Sequence, residues 1–135
     1  MESRRKVLVV DDEELNQDLL RFFLSEKFDV YTAGKVGTFY SLIERIDFDL
    51  IIMDVSLRDS KDGLQLTREL KSNDRYKHIP VFVLTAFSST KERQGAYNAG
   101  ADQFLTKPTN KATLVRLVGS VLNNKSMSAT DSKRN

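Results

Sequence analysis

The chain has 135 residues, 40% hydrophobic and 30% charged, the size and balance of one folded unit with a single core. It contains no cysteine, which excludes disulfides, thiol catalysis and cysteine-held metals. The net charge of +2 sits in the last residues, where Lys125, Lys133 and Arg134 face only Asp131; the rest balances to zero and offers nucleic acid no basic stripe.

The runs VLVV and LIIM are far too short to span a bilayer, so no membrane association is expected. The charged start MESRRK precedes too few apolar residues for a signal peptide, and a cytoplasmic protein is expected.

KVLVV (6–10) predicts a first, buried strand. Residues 13–26 predict a helix with Leu15, Leu19 and Phe22 on its apolar face, widened by Leu20, Phe23 and Leu24. DVYTA (29–33) is a second, weaker strand. Residues 36–46 predict a helix with Phe39, Leu42, Ile43 and Ile46 inward. LIIM (50–53) is the third strand, and 63–72 the third helix, with Leu66 and Leu70 inward. Pro80 opens the fourth strand, VFVLT, at a position where proline is tolerated.

The helix at 89–99 is poor, with little beyond Ala96, Tyr97 and Ala99 to bury and Gly95 inside it. QFLT (103–106) is the fifth strand. Residues 110–123 give a fifth helix with Leu114, Leu117, Val118 and Val121 inward. The tail from 124 shows no periodicity and is expected to be disordered.

Strands alternating with helices imply a doubly wound α/β fold: a five-stranded parallel sheet with five helices. The unalternated strands fit burial on both faces. The expected strand order is the flavodoxin-like 2-1-3-4-5.

In such a sheet the working crevice lies beyond the carboxyl ends of the strands. There the sequence places Asp11 and Asp12, then Asp54, Thr85, and Thr106 with Lys107. Two like charges about 4 Å apart repel by roughly 4 kcal/mol at an effective dielectric near 20, so three carboxylates need a counter-charge. All-oxygen ligands favour Mg²⁺ over zinc. Carboxylates beside Mg²⁺ with Lys and Thr donors are parts for phosphoryl transfer, and a carboxylate can itself be the nucleophile. Taken singly, one Asp of the first pair fits a helix N-cap, Thr85 a turn residue and Lys107 a solvated lysine. Their joint occurrence at four strand ends is what sets them apart.

With VLVVDDEE, LIIMDVSL, IPVFVLTAF and AGADQFLTKP in this order and spacing, the chain resembles the receiver domain of two-component response regulators. The resemblance covers about residues 5–123. It makes 1–123 the receiver domain and 124–135 a flexible polar tail. It implies a phosphorylation-dependent signalling switch, not an enzyme acting on other substrates. Asp54 would be the phosphoacceptor. Asp11, Asp12, Asp54 and the backbone carbonyl of Ser56 would hold Mg²⁺ (or Mn²⁺). Thr85 and Lys107 would bind the phosphoryl group, Lys107 through a cis peptide to Pro108. Phe104 matches the aromatic switch position, and Ser56 and Phe87 the positions that tune phosphoryl lifetime.

The implied donor is the phosphohistidine of a histidine kinase or histidine phosphotransfer protein. The implied receiver of the signal is a downstream protein target or output domain, reached through the face of the fourth helix, fifth strand and fifth helix. The implied state is a monomer or a phosphorylation-dependent dimer. His78 lies in the loop before the fourth strand and is read as solvated. The chain departs from the family's usual loop: position 58 is Arg where a proline is usual, and Gly63 follows Asp54 by nine residues rather than eight.

Three other readings remain. A haloacid dehalogenase-type phosphatase needs a second Asp two residues after the nucleophile, where this chain has Ser56. A flavodoxin-like FMN binder needs a phosphate loop where this chain has DDEELN. The third is a receiver-like module that no longer uses phosphorylation. The polar tail fits both a stand-alone receiver and a piece cut at a linker.

Overall fold

The computed structural model describes residues 4–134, with side chains over 4–123. Five strands, β1 (Lys6–Val10), β2 (Asp29–Ala33), β3 (Leu50–Asp54), β4 (Val81–Thr85) and β5 (Gln103–Thr106), form one sheet in the order β2-β1-β3-β4-β5. All neighbouring pairs are parallel, with Val10 beside Met53, Asp54 beside Leu84 and Thr85 beside Thr106. The strands alternate with helices α1 (Glu14–Leu24), α2 (Val36–Arg45), α3 (Gly63–Ser72), α4 (Thr90–Asn98) and α5 (Lys111–Arg134). The expected fold class and strand order are those observed.

The central strands are apolar on both faces because both faces are covered. Leu8, Val10, Ile51, Met53, Val81 and Val83 pack with Phe39 and Ile43 of α2, Leu66 and Leu70 of α3 and Ala96 of α4. On the opposite face Val7, Val9, Leu50, Ile52, Phe82 and Leu84 pack with Leu20 and Leu24 of α1 and Leu114, Val118 and Leu122 of α5. Strand alternation thus sends successive residues into two separate cores.

Helix α1 corrects the expected inward face. Leu20 and Leu24 are buried, whereas Leu15 is 83% and Phe22 73% exposed, with Leu19 also at the surface. Leu15, Leu19 and Phe22 satisfy helical spacing as well as Leu20 and Leu24 do, so periodicity could not choose between two apolar stripes. Packing against Val7, Val9 and α5 chose the second.

Helix α5 also differs from expectation. The helix expected over 110–123 does not end there: the backbone continues as helix to Arg134. No proline follows residue 111, and the one glycine beyond it, Gly119, lies well inside the helix. Once nucleated on its buried first turns, the helix meets no stop signal. Helix α4 begins after Ser89, whose hydroxyl accepts from the Glu92 N–H, and it buries only Ala96. Among the described residues no helix is long and apolar enough to cross a membrane.

Candidate functional site

Strand ends bring the chemistry together. Asp11 follows β1, Asp54 ends β3, Thr85 ends β4 and Lys107 follows β5. Adjacent parallel strands in register place these ends along one edge. Asp11, Asp54 and Thr85 are the buried polar residues of that edge.

Each carboxylate is held differently. Asp11 Oδ1 accepts from the Glu13 N–H at 2.9 Å, and Oδ2 accepts from the Asn16 side-chain amide. The Gln17 amide donates to the Asp11 carbonyl at 2.6 Å, tying the first turn of α1 to the end of β1. Asp12 Oδ2 accepts from both the backbone N–H and the Nε of Arg58, each at 3.2 Å. Asp54 Oδ1 accepts from the Ser56 N–H at 3.1 Å. Asp54 Oδ2 is buried and has no hydrogen-bond partner among the described residues.

Lys107 supplies the internal counter-charge. Its Nζ lies 3.2 Å from Asp54 Oδ1, 3.3 Å from Asp11 Oδ2 and 3.6 Å from Glu13 Oε1. The peptide from Lys107 to Pro108 is cis, and the Lys107 N–H donates to the Thr85 carbonyl at 2.7 Å. Thr85 Oγ1 accepts from the Phe87 N–H at 3.1 Å, and its hydroxyl proton has no acceptor among the described residues.

One ammonium cannot fully offset this cluster. Burial, followed by repulsion from Asp11, pushes the Asp54 carboxyl above the usual carboxylate range, against the Ser56 hydrogen bond and Lys107. For Lys107 burial acts to lower the pKa, but Asp54 and Asp11 outweigh it and hold the ammonium above its ordinary value. An oxygen from each of Asp11, Asp12 and Asp54 lies within 4.8 Å of the others. That spacing, the unpartnered Asp54 oxygen and the absence of nitrogen or sulfur ligands fit a hard divalent cation.

The remaining candidates lie around this centre. Ser56 is exposed, and its N–H braces the Asp54 carboxylate. Phe87 is 63% exposed. Phe104 is buried, with the Arg93 guanidinium 4.8 Å above its ring. His78 is exposed.

Several site residues escaped the sequence reading. Arg58 was legible only as a departure from a loop pattern, and its contact spans 46 positions. Asn16 and Gln17 sit at polar positions one turn beyond the acidic pair, the spacing at which helix side chains reach back to the end of β1. Asp59 Oδ2 accepts from the Val36 N–H at the start of α2, and Asp62 caps α3. Gly63 is required by contact, because a Cβ there would stand 2.0 Å from the Asp54 carbonyl oxygen.

A doubly wound sheet with three carboxylates, a lysine and a threonine at one edge defines the class of receiver proteins. Residues 7–119 match the family described as response regulator receiver domain, and the chain belongs to it. Members of this family are phosphorylation-dependent signalling switches of two-component systems.

Among relatives, the chain is 32% identical over 119 residues to chemotaxis protein CheY of Halobacterium salinarum, covering 87% of this chain and 97% of that one. It is 35% identical over 117 residues to Protein PetR of Rhodobacter capsulatus, covering 86% of this chain but 48% of that protein. The chain thus spans nearly all of one relative and about half of another. Among solved structures, chemotaxis protein CheY4 of Vibrio cholerae superposes with a TM-score of 0.81 at 28% identity, covering 88% of this chain and 99% of that one.

Proposed function

We propose that this chain is a phosphoacceptor switch in which Asp54 takes a phosphoryl group from the phosphohistidine of a histidine kinase or histidine phosphotransfer protein. The observation that carries this reading is the buried, unpartnered Oδ2 of Asp54, beside a lysine that holds Oδ1 at 3.2 Å. A buried carboxylate oxygen without a donor is costly unless an electrophile or cation engages it.

In the transfer, an Asp54 oxygen attacks phosphorus in line, the P–N bond to the donor imidazole breaks, and the imidazole nitrogen regains a proton. Asp11, Asp12, Asp54 and the Ser56 carbonyl are the groups to hold Mg²⁺ or Mn²⁺. Such a cation, when bound, offsets charge accumulating on the phosphoryl oxygens. Lys107 pairs with a phosphoryl oxygen, and Thr85 donates its free hydroxyl proton to another.

The response passes to α4, β5 and α5, and from there to a downstream protein target or output domain. Helix α4 suits this role because it buries a single alanine, and switching elements come from the low-stability end of a fold. Phe104 is already buried, so a change at this position acts on its contact with Arg93 rather than on burial of the ring. The change in population is bounded by how differently the phosphoryl group interacts with the two states.

Phosphoryl lifetime is tuned at Ser56 and Phe87, where the exposed Phe87 ring is available to shield the acyl phosphate. Phe87→Glu should then lose phosphate faster; an unchanged rate of loss would count against this role.

The test is intact mass after incubation with a small phosphodonor and Mg²⁺. One phosphoryl adduct is expected, and none on Asp54→Asn. A protein that takes no adduct would favour the receiver-like module that no longer uses phosphorylation.

A further inference from the structure

The loop between β3 and α3 turns Arg58 back onto the site. Its backbone N–H and its Nε both lie 3.2 Å from the same atom, Asp12 Oδ2. Asp12 is one of the three carboxylates within reach of one cation. Lys107 already serves the other two, Asp11 and Asp54. Arg58 therefore supplies a second cation, tethered to the one carboxylate that Lys107 does not reach among the described contacts. Its side chain is 83% exposed, so it has solvent to swing into when it lets go.

We propose that Arg58 competes with the divalent cation for Asp12 and so raises the cation concentration at which the site loads. The inference rests on reading the carboxylate trio as a cation site. A guanidinium and a divalent ion on one oxygen repel each other directly. If the ion takes the other Asp12 oxygen, the guanidinium still stands within one carboxylate's width of a double charge. Loading therefore means loosening Arg58. The side chain can do this alone, because Asp59 and Asp62 hold the neighbouring backbone at the starts of α2 and α3. Arginine keeps its charge at every accessible pH, so the competition is not relieved by deprotonation.

The test is titration of Mg²⁺ alone into wild type, Arg58→Ala and Arg58→Gln, read as Kd by calorimetry or by amide shifts. Both variants should bind roughly two- to fivefold tighter, the span of an exposed ion pair. Arg45→Ala is the control for general charge, since Arg45 bonds the Ser41 carbonyl within α2. It should leave Kd unchanged. An unchanged or weaker Kd in both Arg58 variants overturns the proposal, as does equal tightening in Arg45→Ala. If no protein binds Mg²⁺ saturably, the cation-site reading falls, and this inference falls with it. Saturable binding with no Arg58 effect removes this inference alone.

Discussion

Gly63 opens α3 so close to Asp54 that its missing side chain is a structural requirement: a Cβ would stand 2.0 Å from the Asp54 carbonyl oxygen and 3.0 Å from the Met53 side chain. The Gly63 N–H donates to the Val55 carbonyl at 3.2 Å, so the helix start is pinned to the residue after Asp54. Gly63→Ala must push α3 away from β3 or shift Asp54. The expected cost is about 1–3 kcal/mol, as for other overpacked sites. Urea unfolding measures the loss, and slower adduct formation from a small phosphodonor reports the displaced carboxylate.

Asp54 is destabilising when ionised. Its folded-state pKa is raised, first by burial and then by Asp11, so folding favours the protonated form. Its contribution is therefore present at low pH and lost as pH rises through the folded pKa. Asp54→Asn should stabilise the cation-free protein near neutral pH by about 0.5–2 kcal/mol, the range common for relief of such defects. The gap between the two proteins should close as pH falls below the carboxylate range. Thermal unfolding at several pH values in chelator checks both parts.

Divalent cation should reverse that order. A ligand that binds only the folded state at ten times its Kd adds about 1.4 kcal/mol. Mg²⁺ should raise the melting temperature of wild type and do so far less for Asp11→Asn or Asp54→Asn. An equal rise in all three would remove these carboxylates from the cation site.

The exposed α1 stripe is expected to meet the phosphodonor protein. Leu15, Leu19 and Phe22 stand exposed on the helix that follows Asp11 and Asp12. Phe22→Ser or Leu15→Ser should slow phosphotransfer from a cognate partner severalfold or more, since buried aromatic and aliphatic anchors dominate such contacts. Labelling by a small phosphodonor should be unaffected. Equal slowing of both reactions would mean that the substitution damaged the site instead.

The contact between Arg93 and Phe104 can be broken at Arg93. Its guanidinium lies 4.8 Å from the Phe104 ring centroid. Arg93→Ala should lower stability by about 0.5–1 kcal/mol, the value of a cation–π pair near the surface. It should also broaden or shift the Phe104 ring resonances by NMR. Unchanged ring resonances would place control of Phe104 elsewhere.

The strand ends were the most legible part of the molecule. Short apolar runs such as LIIM, alternating with helical patterns, fit central parallel strands, and the residue after each lands on one edge of the sheet. This is why Asp11, Asp54, Thr85 and Lys107 could be named before any geometry. The facing of α1 was not legible, because its two apolar stripes differ only in what the sheet and α5 offer them. The end of α5 was not legible either, since a polar composition does not by itself stop a helix that lacks a stop residue. Arg58, Asp59 and Gly63 have roles set by contacts across the fold, and local pattern carries no such information.

The loop after Asp54 is fastened at every charged position. Arg58 is on Asp12, Asp59 on the first turn of α2, Lys61 on Glu69 and Tyr40, and Asp62 on the first turn of α3. Each helix cap is worth about 1 kcal/mol, so shifting the loop backbone means uncapping α2 and α3 together. The segment works less as a hinge than as a clasp joining two helices of one face to the reaction edge. Mechanical freedom beside Asp54 is left to side chains, and the Arg58 guanidinium can open without uncapping either helix.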